Sequence, residues 1–332
     1  MQRALALAVK GQGFVEPNPM VGAAVLNARG TIVGEGYHER FGGPHAEVNA
    51  LAQAGESARG GTLVVTLEPC CHFGKTPPCT EAVIRSGVSR VIIGMADPFP
   101  KVAGGGIAAL KAAGIDVVSG ICQPDAERLN APYLKLLRTG RPWVIQKWAM
   151  TLDGKMATHT GDSKWISSES SRRMVHELRG RVDAVIVGGN TVRIDDPLLT
   201  ARPLGPRVPT RIVISASGYL PGDCQLVRTA RESPVIVATT AEGVARLSTW
   251  SNAGAELLTM NSLETLFDEL GRRRMTNVLL EGGAKMHAAI TDARLADEVI
   301  AFVAPIVVGN AETIAEAIRL AGEDVVVRRP IE

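Results

Sequence analysis

His45, Glu47, Cys70 and Cys79 are the residues whose types and spacing could do chemistry. They lie in one stretch, residues 44 to 81, reading PHAEVNALAQAGESARGGTLVVTLEPCCHFGKTPPCTE. One imidazole and two thiols give zinc three ligands and leave a tetrahedral position open for water, as a catalytic rather than a structural site requires. Glu47, two residues after the histidine, is the expected proton carrier. Cys71 adjoins Cys70 too closely to ligate the same ion, and His72 is either an alternative ligand or a substrate-binding group. Each residue alone has a plain reading: His45 as a turn histidine after Gly42-Gly43-Pro44, the thiols as small buried hydrophobes. Three of the chain's five cysteines within ten residues, with Glu47 in place, favour the metal.

The elements needed to hold these groups are legible. A helix over 47–54 carries His45 and Glu47 at its start, a hydrophobic strand over 62–67 runs into Glu68-Pro69-Cys70, and a helix over 80–86 begins just after Cys79. Both ligating regions therefore sit at helix N-termini, where free N–H groups and the helix dipole favour thiolate. A hairpin at 21–36 turning at Asn27-Ala28-Arg29-Gly30, a strand at 90–94, a helix at 107–113, a strand at 115–118 and a helix at 125–139 complete an α/β layered domain. Asn18, between two prolines, is a pyrimidine-edge contact or a turn cap. Gly104 to Gly106 do not follow a strand directly and are not a dinucleotide motif. In zinc deaminases the order is H-x-E followed by P-C-x-x-C. The upstream half is intact here, but eight residues separate Cys70 from Cys79 where that pattern has two.

Length and composition bound the rest. At 332 residues two domains are expected, 1–141 and 142–332, with the boundary at Gly140-Arg141-Pro142. A net charge of +2 with no long run of like charges argues against a nucleic-acid or anionic membrane surface. No apolar run reaches the length of a membrane span, and the N-terminus lacks a signal-peptide pattern, so a cytoplasmic protein is expected. Five cysteines without a disulfide framework suit a reducing compartment. In the second half, strands at 143–150, 182–187, 211–215, 235–239, 277–280 and 298–303 alternate with helices at 172–178, 262–270 and 284–290, a second α/β domain. Glu281-Gly282-Gly283 and, more weakly, Gly188-Gly189-Asn190 end strands in paired glycines that allow close backbone approach to an anion. Neither is G-x-G-x-x-G, so the Rossmann fingerprint is absent.

On these motifs the chain resembles the bifunctional riboflavin-biosynthesis family that joins a diaminohydroxyphosphoribosylaminopyrimidine deaminase to a 5-amino-6-(5-phosphoribosylamino)uracil reductase. PNPMVG at 17–22, GEGYH at 34–38, PHAEVNAL at 44–51 and TLEPCCHFGKTPPC at 66–79 carry the deaminase half, the last with the long ligand spacing. KWAMTLDGKMA at 147–157, GDSKWISS at 161–168, VGGNTVRIDDPLLT at 187–200 and EGGA at 281–284 carry the reductase half. The resemblance implies a cytidine-deaminase-like α/β/α domain followed by a dihydrofolate-reductase-like α/β domain, the latter binding NADPH without the Rossmann glycines. It implies Zn2+ on His45, Cys70 and Cys79, with Glu47 as proton shuttle and Asn18, His72 and Lys75 as substrate contacts. In the second domain it implies substrate contacts from Ser163, Arg179, Leu199, Arg202 and Glu281. Cofactor contacts would come from Ala149, Trp165, Thr191, Asp195, Ser215 and the segment Gly283, Ala284, Lys285, Met286, His287, Ala288 and Ala289, with Asp195 also the acid nearest hydride transfer. The chain departs from the family pattern at Cys71, often serine, at Phe73 and Asn49, where histidine is common, and at Ser215, usually aspartate. The expected partners are small phosphoribosylaminopyrimidines, with neither nucleic acid nor membrane, and the expected assembly is a homo-oligomer, dimer or tetramer. A single-function nucleotide deaminase with a nucleotide-binding regulatory second domain is the alternative.

Overall fold

Alternating apolar and small residues build a principal sheet in each of two compact units, Met1–Thr139 and Gly140–Glu332, with a further two-stranded sheet in the second, in a computed structural model that describes all residues except 75–76, 164–165, 314–316, 321 and 332. In the first unit the elements run α1 (Gln2–Ala8), β1 (Gly22–Leu26), β2 (Ile32–Tyr37), α2 (Ala46–Ala54), β3 (Thr62–Leu67), α3 (Cys79–Ser86), β4 (Arg90–Met95), α4 (Gly105–Ala112), β5 (Asp116–Ser119), α5 (Gln123–Leu129) and α6 (Ala131–Thr139). The sheet order is β2-β1-β3-β4-β5, with β1 antiparallel to both neighbours and β3, β4 and β5 parallel. One core cluster spans it, including Val25, Leu63, Val65, Val91 and Ile93 with Ala46, Ala50 and Leu51 of α2 and Val83 of α3. Burying those faces fixes α2 and α3 against the sheet, which is what places their N-termini beside the end of β3.

The helix expected over 125–139 is two helices meeting at Asn130. Asn130 is buried because its side chain accepts from the Met20 N–H at 2.8 Å and donates to the Met20 carbonyl at 3.0 Å. A local amide competing for backbone partners weakens a helix at that point, and here it ties down the loop that carries Asn18.

The second unit contains β6 (Trp143–Thr151), α7 (Glu169–Arg179), β7 (Ala184–Gly188), α8 (Gly189–Asp195), β8 (Thr210–Ile214), α9 (Gln225–Arg228), β9 (Val235–Thr239), α10 (Ala241–Val244), α11 (Ser248–Asn252), β10 (Glu256–Thr259), α12 (Leu263–Arg272), β11 (Asn277–Glu281), α13 (Ala284–Asp292), β12 (Glu298–Ala304), β13 (Ile306–Val307), β14 (Ile318–Arg319) and β15 (Val325–Pro330). The main sheet runs β10-β9-β8-β7-β11-β6-β12-β15, parallel throughout except for β15. Its inner strands are buried on both faces, whereas β15 at one edge is exposed along its length. Val185, Val187, Val213, Val235, Val237 and Leu279 belong to one core cluster, and Ala184, Ile186, Ile212, Ile236, Val278 and Leu280 to another, the alternation that a two-residue period imposes. Ser168 caps α7 by accepting from the Ser171 N–H at 3.2 Å. Helix α8 was not among the expected elements, because its short sequence GNTVRID buries only Gly189 and Val192.

The chain enters this sheet near its middle. From β6 it crosses to β7 and winds outward to β10, then returns to insert β11 between β7 and β6 before passing to β12. Ligands of open α/β sheets sit beyond the C-terminal strand ends at such a reversal.

Candidate functional sites

In the first unit, one imidazole and two thiolate-forming side chains converge. His45 is the residue before α2, Cys79 opens α3, and Cys70 lies three residues beyond β3. His45 Nδ1 stands 3.1 Å from Cys79 Sγ and 3.6 Å from Cys70 Sγ, and the three donor atoms lie within 4.8 Å of one another. The Cys79 N–H points to Cys70 Sγ at 3.3 Å. Tetrahedral zinc with ordinary ligand lengths separates a nitrogen and a sulfur ligand by roughly 3.5 Å. The donor set, its spacing and the count of three therefore fit zinc with one position open. Among the described residues this is the one such cluster, and Cys71 and His72 are outside it. Cys71 instead directs its thiol to the Lys101 carbonyl at 3.7 Å.

The electrostatics agree with a metal-ligating pair. Hydrogen bonding from Cys79 and His45 holds Cys70 down at about 4, against the opposing effect of burial. Hydrogen bonding to Cys70, together with burial and the nearby Glu47 charge, drives the Cys79 thiol up. Glu47 is 3% exposed, and its Oε2 has no hydrogen-bond partner. Burial pushes its carboxyl above the usual range, and the opposing pull of His45 does not cancel that. A carboxyl raised in this way is suited to take up a proton and give it back.

Around this centre, His38 packs edge-on against His45 with ring centroids 5.1 Å apart, gives Nδ1 to the Pro44 carbonyl at 3.0 Å and meets Asn18 Nδ2 at 3.4 Å. With Nδ1 donating, Nε2 accepts, so the Asn18 amide turns its NH2 to His38 and its oxygen away. His38 is thus a site residue that the sequence reading passed over, although it ends the GEGYH motif. His72 is half-buried, with its Nδ1 lacking a partner and its ring 6.0 Å from Phe99. Asn49 is committed to the Tyr37 carbonyl at 2.9 Å, and Phe73 is 75% exposed. Lys75 lies outside the described residues.

In the second unit part of the predicted set meets in two places at the C-terminal strand ends. At the end of β11, Glu281 forms a two-pronged pair with Arg179 of α7, at 2.6 and 2.9 Å, and Arg179 also donates to the Thr200 carbonyl at 3.3 Å. Burial alone would raise the Glu281 carboxyl, but Arg179, Lys147 and His176 outweigh it and hold it below its ordinary value. Lys147, the register partner of Glu281 on β6, was not among the expected residues. Burial lowers its pKa, and its ammonium lies over the Phe302 ring at 5.3 Å. A lysine at an inward position of an apolar strand was the signal that could have found it.

The second place joins the two paired-glycine turns. A Cβ built on Gly282 would come within 3.8 Å of the Gly188 N–H, so the turns that open α8 and α13 are neighbours, and a Cβ on Gly283 would meet open space. This is a cradle into which a phosphate-bearing cofactor fits. Thr191 is half-buried and Asp195 exposed on α8, and Ser215 is buried against Gly189. Gly283, Ala284, Lys285 and Ala288 are exposed and Met286 and Ala289 half-buried, whereas His287 is buried with its ring edge-on to Trp148 at 5.3 Å. Ala149 is half-buried on β6. Leu199 has a left-handed φ of 58° and a side chain buried in the core, so any substrate contact there falls to its main chain. Arg202 is exposed and lines a pocket of about 390 Å³ with Leu198, Thr200 and Ser233. Ser163 is exposed, and Trp165 lies outside the described residues.

Comparison with known proteins assigns the two halves. Residues 1–95 match the cytidine and deoxycytidylate deaminase zinc-binding region, and residues 142–323 match the RibD C-terminal domain. The riboflavin biosynthesis protein RibD of Aquifex aeolicus is 42% identical over 99% of this chain and 93% of its own, and that of Escherichia coli is 40% identical over 93% and 88%. Among solved structures, Acinetobacter baumannii RibD superposes with a TM-score of 0.84 at 36% identity, covering 100% of this chain and 98% of its own. A diaminohydroxyphosphoribosylaminopyrimidine deaminase/5-amino-6-(5-phosphoribosylamino)uracil reductase from Thermotoga maritima does so with a TM-score of 0.86 at 37% identity, covering 100% and 97%. The chain belongs to the RibD family of bifunctional riboflavin-biosynthesis enzymes, a deaminase domain followed by a pyrimidine reductase domain.

Proposed function

We propose that the first domain hydrolytically deaminates 2,5-diamino-6-(5-phosphoribosylamino)pyrimidin-4(3H)-one and that the second reduces the ribosyl group of the resulting 5-amino-6-(5-phosphoribosylamino)uracil to ribityl with NADPH. The observation that carries this reading is the buried Glu47 carboxyl, one oxygen of which has no protein partner, beside the His45, Cys70 and Cys79 cluster. Zinc held by those three residues supplies Lewis acidity, which lowers the pKa of water toward about 7. Glu47 takes the proton that water sheds as its oxygen bonds to the amino-bearing ring carbon. It returns that proton to the ring nitrogen, then takes the remaining hydroxyl proton and passes it to the leaving nitrogen as the C–N bond breaks, the ring carbonyl forms and ammonia departs. Asn18, its amide oriented by His38, and His72 are assigned to the pyrimidine edge, with Lys75 as a further contact.

In the second domain NADPH supplies hydride to C1 of the ribose. Thr191, Asp195, Ser215, Ala149, Trp165 and the segment from Gly283 to Ala289 are assigned to the cofactor, and Ser163, Arg179, Leu199, Arg202 and Glu281 to the substrate. The proton that must reach the sugar ring oxygen as the C1–O bond opens has two candidate sources, Asp195 and the Lys147 ammonium, whose acidity burial increases. Homo-oligomeric assembly in the cytoplasm belongs to the same reading.

Two experiments test it. Supplying the diamino phosphoribosyl pyrimidine with and without NADPH, while following ammonia and nicotinamide absorbance together, should give ammonia in both cases and NADPH oxidation only after deamination. Ammonia without any NADPH oxidation would select the single-function deaminase instead. Stripping zinc with a chelator should abolish ammonia release and leave reduction of the deaminated pyrimidine unchanged; loss of both would break the division of labour. For the sugar phosphate, Arg202→Ala should raise the reductase KM about tenfold or more with a smaller change in kcat, since one charged hydrogen bond is worth about 1.5–3 kcal/mol. An unchanged KM rejects that contact.

A further inference from the structure

We propose that Glu68 is a positioning residue of the deaminase site, whose carboxylate locks residues 97 to 107 around the loop that presents Cys70. Glu68 is 3% exposed and lies two residues before that ligand. Its oxygens are occupied by three backbone donors from one segment: Oε2 by the N–H groups of Asp97 at 3.2 Å and Gly104 at 3.1 Å, and Oε1 by that of Ile107 at 3.0 Å. A buried carboxylate that collects three amides is held by charge-assisted bonds and has little capacity left for substrate. Its work is to shape the chain around it.

The same segment closes on the ligand loop from the other side. A Cβ on Gly106 would run into the Pro69 carbonyl, and one on Gly105 would come within 2.8 Å of Cys71 Sγ. Gly104 adopts a φ of 84°, which favours glycine. Gly105 and Gly106 are thus a bare surface on which residues 68 to 71 lie. The clamp extends outward, because Asp97 accepts from the Tyr133 hydroxyl and the Phe99 N–H, both at 2.9 Å. It also extends to the substrate side, since Phe99 faces His72. One carboxylate therefore ties the backbone of a metal ligand to an aromatic wall of the pocket. Groups that orient metal ligands from behind cost about 10–100-fold in metal affinity or activity when lost.

The test uses the full-length enzyme. Glu68→Gln keeps the shape but turns an NH2 toward backbone N–H groups on at least one side. Zinc release to a chromogenic chelator should become about tenfold faster or more, and the kcat for ammonia release should fall about 10–100-fold. Reductase turnover should stay at the wild-type value, and the variant should still melt cooperatively, lowered only by the cost of one unmatched buried donor. Gly106→Ala, which pushes on Pro69 from the opposite face, should reproduce the pattern. Zinc release and kcat within twofold of wild type in Glu68→Gln would overturn the proposal. So would a collapsed melt in both variants, which would assign the contact to folding. The inference rests on the deaminase reading, and the two fail separately. A wild-type enzyme that releases no ammonia rejects that reading while the zinc-release comparison still decides the clamp; an active wild type with an unaltered variant rejects only the clamp.

Discussion

Glu47→Gln is expected to lower ammonia release by about 10²–10⁴-fold, the range a positioned proton carrier contributes, with zinc still bound and the reductase untouched. The substitution is nearly isosteric, and the side chain is buried on the first turn of α2, so neither the helix nor the core should move. What disappears is the ability to carry a proton. The wild-type carboxyl is raised by burial and has an oxygen free of protein partners. An amide has no comparable acid or base form. Because His45 and the two thiols are unaltered, zinc content measured on the purified variant should equal that of the wild type. Turnover within tenfold of wild type with full zinc would remove Glu47 from the mechanism, whereas lost zinc would recast it as a structural support of the ligand cluster.

The zinc site was legible because its signals are chemical and local. His45 and Glu47 share a helix start, Cys79 opens the next helix, and hydrophobic β3 leads to Cys70, so residue types and element starts together pointed to one cluster, while its long ligand spacing was accounted for by the family resemblance. Three features were hidden because each depends on contacts distant in sequence. Asn130 splits a helix in order to hold Met20, 110 residues away. Glu68 is indistinguishable from a strand-end acid until residues 97 to 107 fold over it. Lys147 stands out as a lysine inside an apolar strand, but its partner Glu281 is set only by the register of β6 and β11. In the second unit, the paired glycines at 188–189 and 282–283 were each visible in the sequence. Their adjacency required β11 to insert beside β7, a topological fact that no local pattern encodes.

That insertion also creates the largest stability effect expected in the reductase domain, from Glu281→Gln. Glu281 and Arg179 are both mostly buried, with side-chain exposures of 12% and 14%. Their two-pronged bond is accompanied by the Lys147 ammonium on the neighbouring strand. Neutralising the carboxylate leaves two cations near each other with no compensating anion in the pair. Breaking one partner of a buried ion pair costs about 3–5 kcal/mol, which in a domain of this size lowers the melting temperature by about 6 °C or more. The pH dependence follows from the sign of the shift. The folded carboxyl lies below its ordinary value, so its stabilisation is fully present above the unfolded value of about 4.3 and is lost as pH falls through the folded value. The gap between wild type and variant should therefore be widest near neutrality and narrow in acid. Reductase turnover should fall with it, since Arg179 and Lys147 lose the anion that fixes their positions at the strand ends. A variant that melts within 2 °C of wild type at neutral pH, with no narrowing of the gap in acid, would show that Arg179 and Lys147 are satisfied by other partners and that Glu281 does not organise the site.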